Sequence, residues 1–373
     1  MRSNQRSIFV LATLFVLINL VARDWDWRYE WTRASMSLAF LSVMIAPLFA
    51  GLSAWWAAQM VPALDDVLAM SPRHSSVVLR EVTRLFRPVA AALGLGGLAM
   101  AIACTCTGGF FATWPDVWPM LSALMLIYVA GVVGFVSGGA YPRLWLAPVV
   151  TLGIFGLILG LYGTHLAPLV QAGGASASLV GVVPHWRFHL VGIVASLLIA
   201  FGVLKLYEGG RRRSARNLAV GVLLVIVSAG GTYILDSALA GDGISSRLAL
   251  TDKNVTCVVS PEGYEICLGR GYGSVRPAVE EAVAHVSEQL AELGVEVPRR
   301  WDQRGGEDSA YVNPLEKDLA ASVRWEAINR QIPPQCNVGS VREAVDIVSR
   351  YGETGVITDR DETLRAFEAL KAC

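Results

Sequence analysis

Four cysteines in the last third of the sequence are the residues whose chemistry is most readily interpreted: Cys257, Cys267, Cys336 and Cys373. Thiols in an exported segment are expected to oxidise, and four cysteines allow three pairings. We favour Cys257 with Cys267, which would close the hairpin CVVSPEGYEIC, and Cys336 with Cys373. Four unpaired buried thiols are the alternative. The sequence supports a zinc site less well than either of these, because no Cys-x-x-Cys spacing or nearby histidine completes a tetrahedral ligand set.

Histidines offer a second candidate for metal chemistry. His185 and His189 in PHWRFHL are four residues apart, so a helix would place both on one face, and His165 lies upstream. No carboxylate or cysteine accompanies them in the same loop. We therefore interpret them as interfacial residues that anchor a membrane span, and we assign no metal.

The sequence lacks the motifs of common catalytic sites. It contains no GxxxxGK[ST] phosphate loop, no HExxH and no GxSxG elbow. We therefore predict no catalytic residue, no cofactor and no enzymatic activity in this chain. Any ATP hydrolysis would have to come from a partner.

Composition divides the chain into two parts. Its 373 residues are 54% hydrophobic and 17% charged, with a mean hydropathy of +0.48 and a formal net charge of zero. This is too apolar for an ordinary soluble domain, and the apolar residues are concentrated before Asp236. We predict an all-α membrane bundle followed by a small α+β domain.

Seven apolar runs approach the roughly 17 to 25 residues that cross a hydrocarbon layer as a helix. The first has no small-residue cleavage site after it and is interpreted as an uncleaved anchor. The predicted spans are 7–22, 34–58, 89–111, 120–140, 145–163, 190–207 and 218–235.

Arginine placement predicts the topology. Putting the N-terminus in the cytoplasm gives the inner loops most of the arginines, as the positive-inside rule requires, and seven spans then export the C-terminal part. We predict a multi-pass protein of the cell membrane with its bundle at 1–235, a cytoplasmic loop at 61–88 and a linker at 236–246. An extracytoplasmic, disulfide-containing α+β domain follows at 247–373.

The inner loop 61–88 combines acidic and basic residues. Asp65 and Asp66 lie in a short apolar helix, and a basic amphipathic helix over 77–86 brings Arg80 and Arg84, followed by Arg87. Such helices lie on or near a membrane surface. Two interpretations are open: a solvated interfacial loop, or an element that docks on a cytoplasmic motor subunit.

Glycines replace ionisable residues at the centres of the predicted spans. Gly134-x-x-x-Gly138 and Gly156-x-x-x-Gly160 have the spacing that lets two helix backbones approach closely. We interpret both pairs as packing contacts within the bundle, with a dimer interface as the alternative. An ion-coupling charge relay within the bilayer is not expected.

These features together resemble a known family. The N-terminal cytoplasmic segment, the glycine-rich spans and the loop containing LDDVLAMSPRHSS are similar to the membrane subunits of type-2 (ABC-2) ATP-binding-cassette exporters. The likeness is greatest to an actinobacterial group of ABC transporter permease-like integral membrane proteins. In that group an exported tail begins with a strand, a cysteine and a Pro-Glu pair, followed by a helix. The counterparts here are CVVSPEGYEIC and RPAVEEAVAHVSEQLAELGVEVP.

The resemblance covers most of the chain and is carried by pattern rather than by invariant motifs. It implies a permease that resides in the lipid bilayer and works with a cytoplasmic ABC ATPase subunit, as a homodimer or with a paired permease. Two predicted features of this chain depart from the family pattern. The chain has seven spans where six are usual, and it has a large exported domain. The competing hypothesis is a non-transporting membrane anchor or receptor whose exported domain binds an extracytoplasmic ligand. Neither hypothesis involves nucleic acid.

Overall fold

The computed structural model describes residues 2–22, 25–63, 74–110, 113–174, 178–239, 248–295, 297–306, 308–331, 342–357 and 359–371, and the structural statements below concern these residues. The chain divides into two compact units. We call Met1–Ala103 with Phe111–Leu250 the helical unit, and Cys104–Phe110 with Thr251–Cys373 the C-terminal unit.

Long apolar helices make up most of the helical unit. They are α1 (Arg2–Ala22), α2 (Trp31–Phe40), α3 (Ser42–Ala63), α4 (His74–Thr107, of which the part up to Ala103 belongs to this unit), α5 (Trp114–Ala140), α6 (Leu146–Leu161), α7 (Trp186–Arg212) and α8 (Ala215–Leu239). Two short strands, β1 (Val182–Pro184) and β2 (Leu248–Leu250), pair antiparallel in the same unit. Part of the predicted linker at 236–246 is helical, because α8 continues to Leu239.

Six segments of the described chain are long and apolar enough to cross a membrane. A helix satisfies its own backbone hydrogen bonds, which is what a lipid environment requires. These segments are Gln5–Ala22, Trp31–Pro62, Ser75–Thr107, Trp114–Ala140, Trp186–Arg212 and Ala215–Ala238. The apolar helix α6 has 16 residues and is therefore about 24 Å long, less than a hydrocarbon core of about 30 Å. The membrane-type bundle is confirmed, and the seventh span stays a prediction.

Helices α3 and α5 make the most extensive helix–helix contact among the described residues. A Cβ atom placed on Gly134 would overlap the backbone of Ala50, and one placed on Gly138 would overlap the backbone of Ala54. Both glycines therefore allow the two helix backbones to touch. We call this contact the α3–α5 seam.

The helix ends of this unit fall into two groups. At one end, Ser75 in the first turn of α4 donates a hydrogen bond to Glu208 near the end of α7. At the other end, Pro168 lies against Gly192 in α7, and His165 contacts Asp236 near the end of α8. Helix α6 therefore carries the chain from the end where α5 finishes to the end where α7 begins.

The C-terminal unit contains a four-stranded mixed sheet. Its strands are β3 (Val255–Val259), β4 (Glu265–Gly269), β5 (Arg300–Asp302) and β6 (Ala310–Tyr311), in that spatial order. The β3–β4 pair is antiparallel, and the β4–β5 and β5–β6 pairs are parallel. Gly263 has a φ of 89° in the turn that follows Pro261, a conformation that glycine adopts without steric cost.

Four helices complete the C-terminal unit, and one of them supplies much of its core. They are α9 (Arg276–Glu292), α10 (Leu319–Asn329), α11 (Arg342–Thr354) and α12 (Arg360–Lys371). Val279, Val283, Val286 and Leu290 of α9 are fully buried, and their spacing places them on one helix face. The coarse prediction of a helical membrane protein with a small sheet near its C-terminus is confirmed.

Candidate functional site

The sequence predicts a separate amphipathic helix over 77–86, but the structure has one continuous helix, α4, from His74 to Thr107. Its 34 residues make it about 51 Å long, which exceeds the hydrocarbon thickness of a bilayer. The basic segment is therefore the first part of a long membrane helix. We call residues 74–87 the α4 arm.

Pro88 lies where the α4 arm joins the apolar part of the helix. Proline has no amide hydrogen, so the carbonyl oxygen of Arg84, four residues earlier, loses its usual helical donor. The side-chain amide of Gln5 in α1 donates to this oxygen at 3.4 Å. A side chain from a neighbouring helix thus compensates the break, as is required where backbone groups are shielded from water.

The α4 arm is attached to α7 by polar contacts. Glu208 accepts hydrogen bonds from Ser75 and from the amine of Lys205, the latter at 2.9 Å. Farther along α7, Arg211 donates to the carbonyl oxygen of Gly139 at 3.4 Å and stacks over the Tyr207 ring at 5.3 Å. The ends of α5 and α7 and the start of α4 therefore form one connected surface. We call it the basic end, defined by Arg80, Arg84, Lys205, Arg211 and Arg212.

The predicted docking residues are placed only in part. Asp65 and Asp66 lie outside the described residues. Arg80 and Arg87 are exposed on α4, and Arg84 is partly exposed and pairs with Glu81 at 3.8 Å. The three arginines therefore present charge from a helix rather than from a loop.

Packing around α4 is less complete than at the α3–α5 seam. An apolar groove of about 300 Å³ lies between α1, α3 and α4, and a cavity of about 40 Å³ lies between α2, α4 and α5. Aromatic side chains make the contact between α4 and the seam, with Phe86 at 6.0 Å from Phe49 and 5.3 Å from Tyr128 between ring centroids. The helix is held by side chains and not by backbone contact.

Buried carboxylates lie at the opposite end of the helical unit. Asp116 is fully buried and accepts hydrogen bonds from the hydroxyls of Thr32 and Thr113 at 2.9 and 2.8 Å. Glu30 accepts from the Ser178 hydroxyl and the Leu179 amide, both at 2.6 Å. These bonds fix the starts of α2 and α5 relative to the connection before α7. We assign both carboxylates a structural role, because hydrogen-bond donors of the surrounding protein satisfy each of them.

A histidine and a carboxylate also pair at this opposite end. His165 Nδ1 lies 3.2 Å from Asp236 Oδ2, and the Tyr233 ring packs edge-on against the imidazole at 5.1 Å. The predicted pair His185 and His189 lies in two different environments. His185 occupies the N-cap position of α7 without a side-chain capping hydrogen bond, and His189 is buried beside Phe188. The structure does not bring these three histidines together as one ligand set within the described residues.

The C-terminal unit contains the predicted clip. Cys257 and Cys267 face each other across the β3–β4 pair and form a disulfide. Among the described residues, these two sulfurs and the Glu265 carboxylate are the only three potential metal ligands found close enough together to share one ion. The disulfide leaves neither sulfur as a thiolate, so the group is not a metal site. Cys336 and Cys373 lie outside the described residues, so their predicted pairing stays a prediction.

A cleft on the C-terminal unit lies between α10 and α11. Its volume is about 380 Å³, and Trp325, which is 41% exposed, forms one wall. Three acidic residues also line the cleft: Glu316, Asp318 and Glu353. An aromatic face among carboxylates is suited to a cationic ligand.

Ionic contacts stabilise the loop after β5. Burial alone would raise the pKa of Asp302, but hydrogen bonds from the side chain and backbone of Arg304, with a further attraction to Arg300, hold that pKa below its usual range. The same contacts raise the pKa of the Arg304 guanidinium. Arg304 also reaches the exposed carboxylate of Asp252 at 2.5 Å.

Sequence reasoning missed the contacts that cross between helices. Pro88 was a usable signal, because an internal proline always frees one carbonyl group. The pairing of His165 with Asp236 joins residues 71 positions apart and had no local signal.

No protein-family model, no curated protein and no solved structure matches the chain. Function must therefore be inferred from the residues of the chain itself.

Proposed function

We propose that the chain is a permease-like membrane subunit of an ABC-type exporter and works with a separate cytoplasmic ATPase. The observation that carries this proposal is the proline inside α4, at the base of its basic arm. Pro88 removes one backbone hydrogen bond from the continuous helix, and the side-chain amide of Gln5 donates to the freed carbonyl oxygen of Arg84. Sharp helix kinks occur at proline, so Pro88 marks the position at which α4 would bend.

In this proposal the α4 arm is the coupling element. Force applied to Arg80 and Arg84 would be transmitted to the membrane part of α4, because the arm is helical up to Pro88. The groove and the small cavity beside α4 leave space for that movement. The α3–α5 seam has no such space and would serve as the fixed part.

The proposal places the basic end in the cytoplasm and the C-terminal unit outside the cell. Arginine enrichment at one end is the usual mark of the cytoplasmic side. The disulfide between Cys257 and Cys267 is consistent with an oxidising compartment. A reagent that cannot cross membranes should label these cysteines in intact cells after reduction, and labelling only after lysis would reverse the orientation.

The test of function is purification of the full chain in mild detergent from its native cell, followed by mass spectrometry. We expect a stoichiometric partner with a GxxxxGK[ST] loop. The double substitution Arg80→Glu and Arg84→Glu should reduce its recovery by about tenfold or more, because buried or half-buried charge contacts at interfaces contribute strongly. Arg187→Glu, at the opposite end, is the matched control and should leave recovery unchanged.

Recovery of no ATPase, or equal loss in the control, would refute the coupling role. The second candidate function is then a membrane-anchored receptor, and the cleft around Trp325 is the observation that favours it. In that case a cationic partner should co-purify. Glu353→Lys should abolish its capture, whereas Glu362→Lys, an exposed substitution on α12, should not.

A further inference from the structure

The groove between α1, α3 and α4 is open at the surface of the helical unit. Leu11 of α1 and Leu48 of α3 line it and are 53% and 44% exposed, and Val89 of α4 contributes to its wall. Ser7 is the one polar side chain among the described lining residues. The groove is therefore apolar along its length and polar at one end. A lipid has the same arrangement, with an apolar acyl chain below a polar headgroup.

The dimensions of the groove match one leaflet. It extends along α1 from Ser7 to Phe15, a rise of about 12 Å. The hydrocarbon region of one leaflet is about 15 Å deep, half of the core of a bilayer. A chain entering beside Ser7 would therefore remain within a single leaflet.

Cationic residues lie at the Ser7 extremity. The hydrogen bond from Gln5 to the Arg84 carbonyl oxygen places the backbone of Arg84 beside the start of α1, and Arg6 is exposed there. The Arg84 side chain is 36% exposed and lies 3.8 Å from the carboxylate of Glu81. A guanidinium group matches the geometry of a phosphate and can bond it through two N–H groups.

We propose that this groove binds one acyl chain of an anionic phospholipid, whose phosphate group contacts Arg84 and Arg6. The lipid occupies the leaflet at the basic end and lies beside the Gln5–Arg84 hydrogen bond. This binding site is independent of the transport function proposed above, because it requires only the helical unit in a bilayer.

The experiment uses the full chain reconstituted in vesicles of equal parts phosphatidylglycerol and phosphatidylcholine with identical acyl chains. The protein is released into mild detergent, and the lipids it retains are measured by native mass spectrometry. We expect one retained phosphatidylglycerol per chain, in preference to phosphatidylcholine. Leu11→Trp, which fills the groove, should reduce retention by about tenfold. Leu14→Trp is the matched control, since Leu14 is 50% exposed on α1 outside the groove, and it should retain the lipid.

The headgroup contact has its own pair of variants. Arg84→Gln should lower the preference for phosphatidylglycerol by about fivefold, the effect expected for one basic residue at an anionic surface. Arg80→Gln removes an exposed arginine one turn earlier and should preserve the preference. Equal effects of the two tryptophan variants, or equal retention of the two lipids by the unmodified chain, would overturn the proposal. A lipid-free dimer would assign the groove to a second copy instead.

Discussion

Gly138 of the helical unit and Cys267 of the C-terminal unit both meet a neighbouring backbone at close range, by opposite means. Gly138 touches the backbone of Ala54 because it has no side chain. Cys267 faces Cys257 across a strand pair and is covalently joined to it. The contact at Gly138 depends on the absence of a side chain, and the contact at Cys267 depends on a covalent bond between side chains.

This difference follows from the solvent that each unit is suited to. Lipid gives little hydrophobic drive for helices to associate, so a membrane bundle depends on close packing at small residues. A small domain in water has a limited core, and covalent and ionic links supplement it. We therefore expect the helical unit to be sensitive to added volume, and the C-terminal unit to be sensitive to reduction and to acid.

The largest effect is expected from adding volume at the α3–α5 seam. Gly138→Leu would place a side chain inside the backbone of Ala54, where no rotamer avoids the overlap. Overpacking costs about 1 to 3 kcal/mol when side chains can adjust, and backbone overlap should exceed that range. Detergent size-exclusion and thermal unfolding of the full chain should show loss of the monodisperse folded species. A variant that unfolds at the same temperature as the unmodified chain would show that α3 and α5 are not in backbone contact.

The next effect tests the covalent link. Cys257→Ser removes the disulfide and should destabilise the C-terminal unit by about 2 to 5 kcal/mol. Hydrogen exchange of the full chain should accelerate in peptides covering 255–269. Peptides covering the seam at 130–140 should be unaffected.

Cys106→Ser supplies the control for this substitution. Cys106 is an exposed free cysteine, so its replacement should change neither region. If exchange over 255–269 were the same in both serine variants, the disulfide would have no stabilising role in this unit.

A smaller and pH-dependent effect is expected at Asp302. Because the folded chain holds its pKa below the usual value, ionised Asp302 stabilises the C-terminal unit above about pH 4. That stabilisation is lost as the pH falls through the lowered pKa. Asp302→Asn should cost about 1.5 to 3 kcal/mol near pH 7, the range for hydrogen bonds to charged groups, and should flatten the acid dependence.

The control for Asp302 is its exposed counterpart. Asp252 contacts the same arginine but has a side chain that is 92% exposed, so Asp252→Asn should have little effect at any pH. Unfolding by urea between pH 3 and pH 7 measures both variants. Parallel pH profiles for Asp302→Asn and the unmodified chain would contradict the assignment.

Some of these features could be read from the sequence because they are local. The hairpin around Pro261 and Gly263, the apolar face of α9 and the apolar spans all depend on residues close together in the chain. Periodicity and turn chemistry report such features directly.

Other features depend on which helices become neighbours, and local pattern does not contain that information. The continuity of α4 through Pro88 is one case, since a helix normally breaks at proline unless another group satisfies the freed carbonyl. Here that group is Gln5, far away in the sequence. The ionic link between Asp302 and Arg304 joins residues two positions apart, but the sequence does not reveal it, because charge alone does not show which carboxylate is buried.

The two Gly-x-x-x-Gly pairs show the same limit most clearly, and they provide the last and smallest prediction. Gly156 and Gly160 have the spacing of the seam glycines, yet a Cβ atom on either would meet no neighbour within 4 Å. Gly156→Ala and Gly160→Ala should therefore be neutral or stabilise α6 by up to about 1 kcal/mol each, through helix propensity. Gly138→Ala should lower the unfolding temperature, because its Cβ atom would overlap the backbone of Ala54, whereas Gly156→Ala and Gly160→Ala should leave that temperature unchanged or raise it. Destabilisation at Gly156 or Gly160 would mean that the exposed face of α6 is covered in the membrane, and cross-linking of single cysteines placed on that face would then test for a second copy.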